Sequence, residues 1–106
     1  MVRNNIKIGF IGVGYMGYGM ALNILKRKYN LNIIAHTNRK SINKLVKLGA
    51  TELKTYKNFA INSNVIIICV TNTIIAKKVI NSLKSFLIKG TLIIDITTHN
   101  QNGSIE

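Results

Sequence analysis

Three glycines at fixed spacing, Gly12-x-Gly14-x-x-Gly17, stand inside the stretch IGFIGVGYMGYGMALNILK at residues 8–26. In a turn from strand to helix each has its own task. Gly12 allows the tight turn. Gly14 lets the main chain approach a pyrophosphate where a Cβ would collide, and Gly17 lets the helix pack close to the strand. Bare N–H groups and the positive end of the helix dipole then face the anion. The competing reading is a glycine-rich turn with no ligand. The β-rich run before the motif and the amphipathic run after it favour the phosphate cradle.

A second polar cluster, AHTNRKS at residues 35–41, follows the next β-rich run. A site for NAD wants Asp or Glu there, to hold the ribose 2′-hydroxyl. A site for NADP wants Arg beside the 2′-phosphate. No acid occurs from residue 1 to residue 51. Arg39 can pair bidentately with phosphate, and Asn38, Lys40 and Ser41 can add donors. A solvated polar loop is the alternative. The missing acid and the present arginine point the same way, to NADP(H) preferred over NAD(H).

The remainder of the chain has to position these two clusters, and its pattern alternates. Residues 6–12 form a short β-rich run. Residues 16–28 carry a helical stripe of Met16, Met20 and Ile24 with Ala21 and Leu25 beside it. Residues 31–36 read as a second strand. Residues 41–50 read as a helix with Ser41 as N-cap and Gly49 as stop. TELK is a short third strand, and Thr55 caps a brief helix in YKNFAINS. Residues 64–70 are the clearest strand, apolar without a break, as in a parallel strand covered on both faces. Residues 74–87 read as helix and residues 90–96 as the last strand. The expectation is an α/β chain, a doubly wound parallel sheet of about five strands.

The totals narrow the choices. The chain has 106 residues, 47% of them hydrophobic, enough for one domain over residues 1–106. Its formal net charge is +12, from 15 Lys+Arg against 3 Asp+Glu. That balance attracts phosphates, but the cations are dispersed over three predicted helices. The tyrosines and phenylalanines are not interleaved with them as stacking platforms, so nucleic acid is not expected as the main partner. The single cysteine, Cys69, lies in VIIICV and reads as a packed thiol. No apolar run reaches the roughly 18 residues of a membrane span. With no cleavable leader pattern at the N-terminus, a cytoplasmic location is expected.

At the glycine motif the chain resembles the β-hydroxyacid dehydrogenases, the group of 3-hydroxyisobutyrate and 6-phosphogluconate dehydrogenases. Met16, Gly17, Met20, Ala21 and Asn23 match that family's opening beyond the bare glycines. TNRK is similar to the N-R-T of its NADP-preferring members. VIIICVTN resembles its strand and loop of the form VVIxMLPN, and GTLIIDITTH resembles its GxxxIDxST. The resemblance covers almost the whole chain. It implies a Rossmann-type sheet in which Ile11, Gly12, Val13, Gly14, Tyr15, Met16 and Gly17 cradle the pyrophosphate. Asn38 and Arg39 would take the 2′-phosphate, and Val70, Thr71 and Asn72 would border the nicotinamide ribose. Thr98 matches a cofactor-contacting threonine, and Thr97 matches the serine beside it on the substrate side. Without the resemblance, Thr97 and Thr98 read as a strand-end turn with helix capping. His99, a lone histidine in a loop, receives no catalytic role.

Departures from the family pattern are visible. The turn KRKYNLN is longer than the family's KAGH, Thr97 replaces a common serine, and Gln101 stands where proline is usual. Family members continue into a sixth strand and a C-terminal helical domain with the catalytic lysine and an asparagine. Those elements are absent from these 106 residues. The resemblance therefore implies the N-terminal NADP-binding part of an oxidoreductase moving hydride between NADP and a small hydroxy acid. It would be inactive alone and would need a partner chain or the missing domain. An imine or pyrroline-carboxylate reductase, or a non-catalytic NADP-binding module, is the alternative. With no sixth strand beside it, the last strand is a bare edge, and self-association is expected.

Overall fold

Where β-branched residues run together the chain forms strands, and where apolar residues recur three or four apart it forms helices. The computed structural model describes residues 6–12, 15–34, 39–70 and 72–96, with backbone only at Tyr15 and Met16. The elements are β1 (Lys7–Ile11), α1 (Tyr15–Lys26), β2 (Asn30–Ile34), α2 (Arg39–Lys47), β3 (Thr51–Leu53), α3 (Tyr56–Ile61), β4 (Val65–Ile68), α4 (Thr73–Lys84) and β5 (Leu92–Asp95). The five strands make one parallel sheet in the order β3-β2-β1-β4-β5. That is the strand order of the dinucleotide-binding doubly wound sheet through its fifth strand.

Each sheet face carries its own core. On one, Ile11, Ile34, Ile66 and Ile68 meet Phe59 and Ala60 of α3 and Ala76, Val79 and Leu83 of α4. On the other, Phe10, Leu31 and Ile33 meet Ala21 of α1 and Ile42 and Leu45 of α2. Helices therefore cover both faces, which explains why β4 is apolar at every position: Ile66 and Ile68 point to the first core, while Ile67 packs against the second.

Helix ends show how local residues set the elements. Thr55 caps α3, its Oγ1 accepting from the Asn58 N–H at 3.1 Å. Asn72 caps α4, its Oδ1 accepting from the Ile75 N–H at 2.9 Å. α1 and α2 end alike. Beyond α2, Ala50 N–H donates to Leu45 O and Gly49 N–H to Val46 O, with Gly49 at φ 117°. Beyond α1, Tyr29 N–H donates to Ile24 O and Lys28 N–H to Leu25 O. Here the left-handed position is filled by Lys28 at φ 68° rather than by glycine.

Two sequence expectations need correction. Ser41 is not the N-cap of α2: the helix starts at Arg39, so Ser41 lies within its first turn. Met20 does not belong to the buried stripe of α1 but is exposed. The close approach of α1 to the sheet turns Gly17 and Ala21 inward, with Ile24 and Leu25 packing beside them. Met20 is left at the margin of that stripe.

Candidate functional site: the carboxyl end of β1, β2 and β4

The sheet order reverses between β1 and β4, for the chain goes from β1 to β2 on one side and returns to β4 on the other. Ligands of doubly wound sheets bind outside the carboxyl ends of the strands at such a point. β1 delivers Ile11 there, fully buried, and Gly12 follows. Gly12 has φ 97°, a conformation that L side chains rarely adopt. A Cβ on it would strike the Cys69 carbonyl and come within 3.1 Å of Val70 Cγ1. The backbone of the β4 loop is thus pressed against the turn, and Cys69 N–H donates to Ile11 O at 2.8 Å. Gly17 is constrained from the other side. A Cβ there would strike the Gly12 carbonyl and approach Phe10 Cε1 to 3.1 Å. Gly12 makes the turn and Gly17 allows the helix to close on it, as the spacing predicts. α1 has no acidic residue in its first turn, so nothing there opposes an anion at its positive end.

At the neighbouring corner, α2 begins with Arg39, whose side chain is 52% exposed. Its guanidinium is already engaged. Nη1 donates to Glu52 Oε2 at 2.7 Å and Nη2 to Oε1 at 2.6 Å, a bidentate ion pair. Nε and Nη2 also donate to Asn43 Oδ1, at 3.2 and 3.0 Å. Glu52 is 13% exposed and has Lys54 Nζ at 3.6 Å from Oε2. The hydrogen bond from Arg39 holds the Glu52 carboxyl below its ordinary range, aided by the charges of Arg39 and Lys54. The same bond raises Arg39 further. On the β4 side, burial pushes the Cys69 thiol up, and the charge of Asp95 adds to it. Among the described residues no group of three His, Cys, Asp or Glu could hold a metal ion.

The sequence from residue 7 to residue 106 matches the family model of the NAD binding domain of 6-phosphogluconate dehydrogenase. The chain belongs to that family. The 2-hydroxy-3-oxopropionate reductase of Escherichia coli K12 is 30% identical to it over 96 residues, covering 88% of this chain and 32% of the reductase. Among solved structures, the 3-hydroxyisobutyrate dehydrogenase of Mycobacterium tuberculosis shares the fold at TM-score 0.83 and 16% identity, over 99% of this chain and 35% of that one. A reductive aminase of Aspergillus terreus, solved with NADPH and ethyl levulinate, matches at TM-score 0.74 and 23% identity, over 93% of this chain and 34% of that one. The chain spans about a third of the length of these relatives.

Within this NAD-binding domain the fold brings Ile11, Gly12, Gly17, Val70 and Asn72 to the carboxyl ends of β1 and β4, with Tyr15 and Met16 in the first turn of α1. Asn72 Oδ1 caps α4 by accepting from the Ile75 N–H, which fixes the side chain at the start of that helix. Arg39 lies at the β2–α2 corner. Val13, Gly14, Asn38, Thr71, Thr97 and Thr98 lie outside the described residues, as does His99. Sequence reasoning missed Glu52. The signal was there in the topology: β3 pairs with β2 in the register Ile33↔Glu52, which brings a β3 acid beside the β2–α2 corner. No described helix is long and apolar enough to cross a membrane.

Proposed function

We propose that this chain is the NADP(H)-binding domain of a β-hydroxyacid dehydrogenase-like oxidoreductase, preferring NADP(H) over NAD(H). The observation that carries the proposal is the Gly12 turn. Its left-handed φ and its Cβ position, blocked by the Cys69 carbonyl, give the tight turn after β1 that a glycine phosphate loop requires, and no other residue type would make it without strain. Ile11, Gly12, Val13, Gly14, Tyr15, Met16 and Gly17 would hold the pyrophosphate, with the helix dipole favouring its charge. Asn38 and Arg39 would receive the 2′-phosphate. Val70, Thr71, Asn72 and Thr98 would border the nicotinamide ribose, and Thr97 would face the substrate. When bound, the nicotinamide supplies the hydride acceptor or donor; the protein's part is to position it.

The chain alone is expected to bind cofactor without turning over hydroxy acids, since cofactor positioning supplies no general acid or base. A lysine-bearing partner or further domain would complete the chemistry. Self-association is the other expectation. On β5, Ile93 packs into a core, while Leu92 and Ile94 project from the opposite face and are exposed. An edge strand with an apolar face is a template for a second copy.

Paired titrations with NADPH and NADH test the cofactor reading. The chain has no tryptophan, so the nicotinamide fluorescence reports binding without interference. NADPH should bind more tightly than NADH, and Arg39→Ala should remove the difference. Equal affinities, or binding of neither, would overturn the reading.

A further inference from the structure

We propose that Glu52 is a selectivity-setting residue that competes with the cofactor's 2′-phosphate for Arg39 and so restrains the preference for NADP(H). The inference rests on the NADP(H) reading above.

A guanidinium has five N–H groups, and two of its edges can grip an oxyanion with two bonds at once. In Arg39 the outer edge, Nη1 and Nη2, grips the Glu52 carboxylate at 2.7 and 2.6 Å. The inner edge, Nε and Nη2, grips Asn43 Oδ1 at 3.2 and 3.0 Å. Four of the five donors are thereby taken, and neither edge is open to a phosphate. A 2′-phosphate arriving here has two courses. It can accept the single remaining N–H beside a carboxylate of like charge, or it can displace that carboxylate. Either course weakens a contact that a bare arginine would make in full. NADH carries no 2′-phosphate and meets neither cost.

Position supports the competition. Arg39 opens α2 at the end of β2, where the ribose of a dinucleotide lies in this fold. Glu52 comes from β3, the next strand outward, and not from the β2 end where a 2′-hydroxyl-binding acid stands. Its reach toward the site is through Arg39. Lys54 lies 3.6 Å from Glu52 Oε2 and offers the carboxylate a second cation once Arg39 turns to phosphate. The arrangement gives Arg39 two anionic partners of comparable chemistry, one permanent and one that arrives with the ligand.

The test uses the 106-residue chain, with Glu52→Gln, Arg39→Ala and the double variant, titrated with NADPH and with NADH. Gln keeps the volume of Glu but removes the charge and one of two acceptors. Glu52→Gln should tighten NADPH roughly fivefold, the scale of one exposed ion pair, and leave NADH unchanged. In the Arg39→Ala background the same substitution should change neither. A merely structural role would move both cofactors together, so an unchanged or smaller NADPH-to-NADH affinity ratio overturns the proposal. So does a gain that persists without Arg39. If wild type fails to prefer NADPH, the cofactor reading itself has failed and this inference falls with it. Should Glu52→Gln not fold, the wild type decides: NADPH but not NADH should shift the carboxylate-carbon NMR signal of Glu52. No shift with NADPH overturns the competition.

Discussion

Gly12→Ala puts the turn to a quantitative test. Two costs add. The first is conformational: at φ 97° an alanine sits in the left-handed half of the map, at about 1–2 kcal/mol. The second is steric. The new Cβ would be driven into the Cys69 carbonyl, which is backbone and cannot rotate away, with Val70 Cγ1 at 3.1 Å closing the remaining space. Cys69 is tied to β1 through its bond to Ile11 O, so relief requires β1 and the β4 loop to part. Overpacking of this kind costs about 1–3 kcal/mol. Together the terms come to about 2–5 kcal/mol, a large share of the roughly 5–15 kcal/mol that holds a domain folded. The melting temperature should fall by about 8–40 °C at some 4–8 °C per kcal/mol.

Gly19→Ala is the control. It lies in the same helix, but a Cβ there meets nothing within 4 Å. Replacing glycine inside a helix should stabilise by about 0.5–1 kcal/mol. Thermal or urea unfolding of the two variants, with NADPH titration beside it, reads both effects. Gly12→Ala should lose NADPH binding even at temperatures where it is folded, and Gly19→Ala should keep it. A Gly12→Ala chain that melts with wild type and binds NADPH would refute the steric and conformational reasoning together.

Other outcomes follow from the same structure. Lys28→Gly relieves a lysine held at φ 68° beyond α1 and should stabilise by about 1 kcal/mol in urea unfolding. The Glu52 carboxyl titrates below its ordinary range in the folded chain, so its contribution is complete above the ordinary glutamate value of about 4.3 and is lost as pH falls through the folded value. Glu52→Gln should therefore flatten the acid side of the stability curve, seen as melting temperature against pH. Cys69, raised by burial, should react slowly with thiol reagents at neutral pH and faster only above the ordinary thiol range of about 8.5. Leu92→Lys on the uncovered face of β5 should lower the association state in sedimentation, and a wild type that is already monomeric would contradict that expectation.

What the sequence made legible depended on whether the deciding interaction was local. The left-handed turn at Gly12, the Gly17 approach and the Thr55 cap are set by residues a few positions apart, or by a strand and the helix that follows it, and could be read from spacing; the Cys69 carbonyl that blocks the Gly12 Cβ comes from the distant β4 loop and could not. The α/β class was equally open, because β4 had to be apolar at every position if both faces were covered. The end of α1 was harder. Chain punctuation looks for glycine after a helix, and here Lys28 fills the left-handed position by accepting strain that the two closing hydrogen bonds offset. Ser41 misled because a helix-capping residue type near a helix start is ambiguous by two positions when an arginine can open the helix. Met20 misled because the width of the buried stripe is set by how closely the helix sits on the sheet, which the glycines control.

Glu52 was illegible for a deeper reason. The rule that an acid at the end of β2 marks NAD and an arginine marks NADP is a rule about chain position, whereas charge acts through space. From residue 1 to residue 51 the chain has no acid, and read linearly the β2–α2 corner is purely basic. Parallel pairing sets β3 against β2, and a residue 13 positions beyond Arg39 lands on its outer edge at 2.6 Å. The corner is then not a bare cation: Glu52 offsets part of the positive charge that Arg39 and Lys54 bring, and a 2′-phosphate there would feel a weaker field than the two cations alone would give. A sequence rule for cofactor choice in this sheet therefore has to examine β3 as well as β2. An acid on the neighbouring strand can oppose the phosphate without ever touching the ribose. If Arg39 receives the 2′-phosphate, it would decide between cofactors only to the degree that Glu52 releases it.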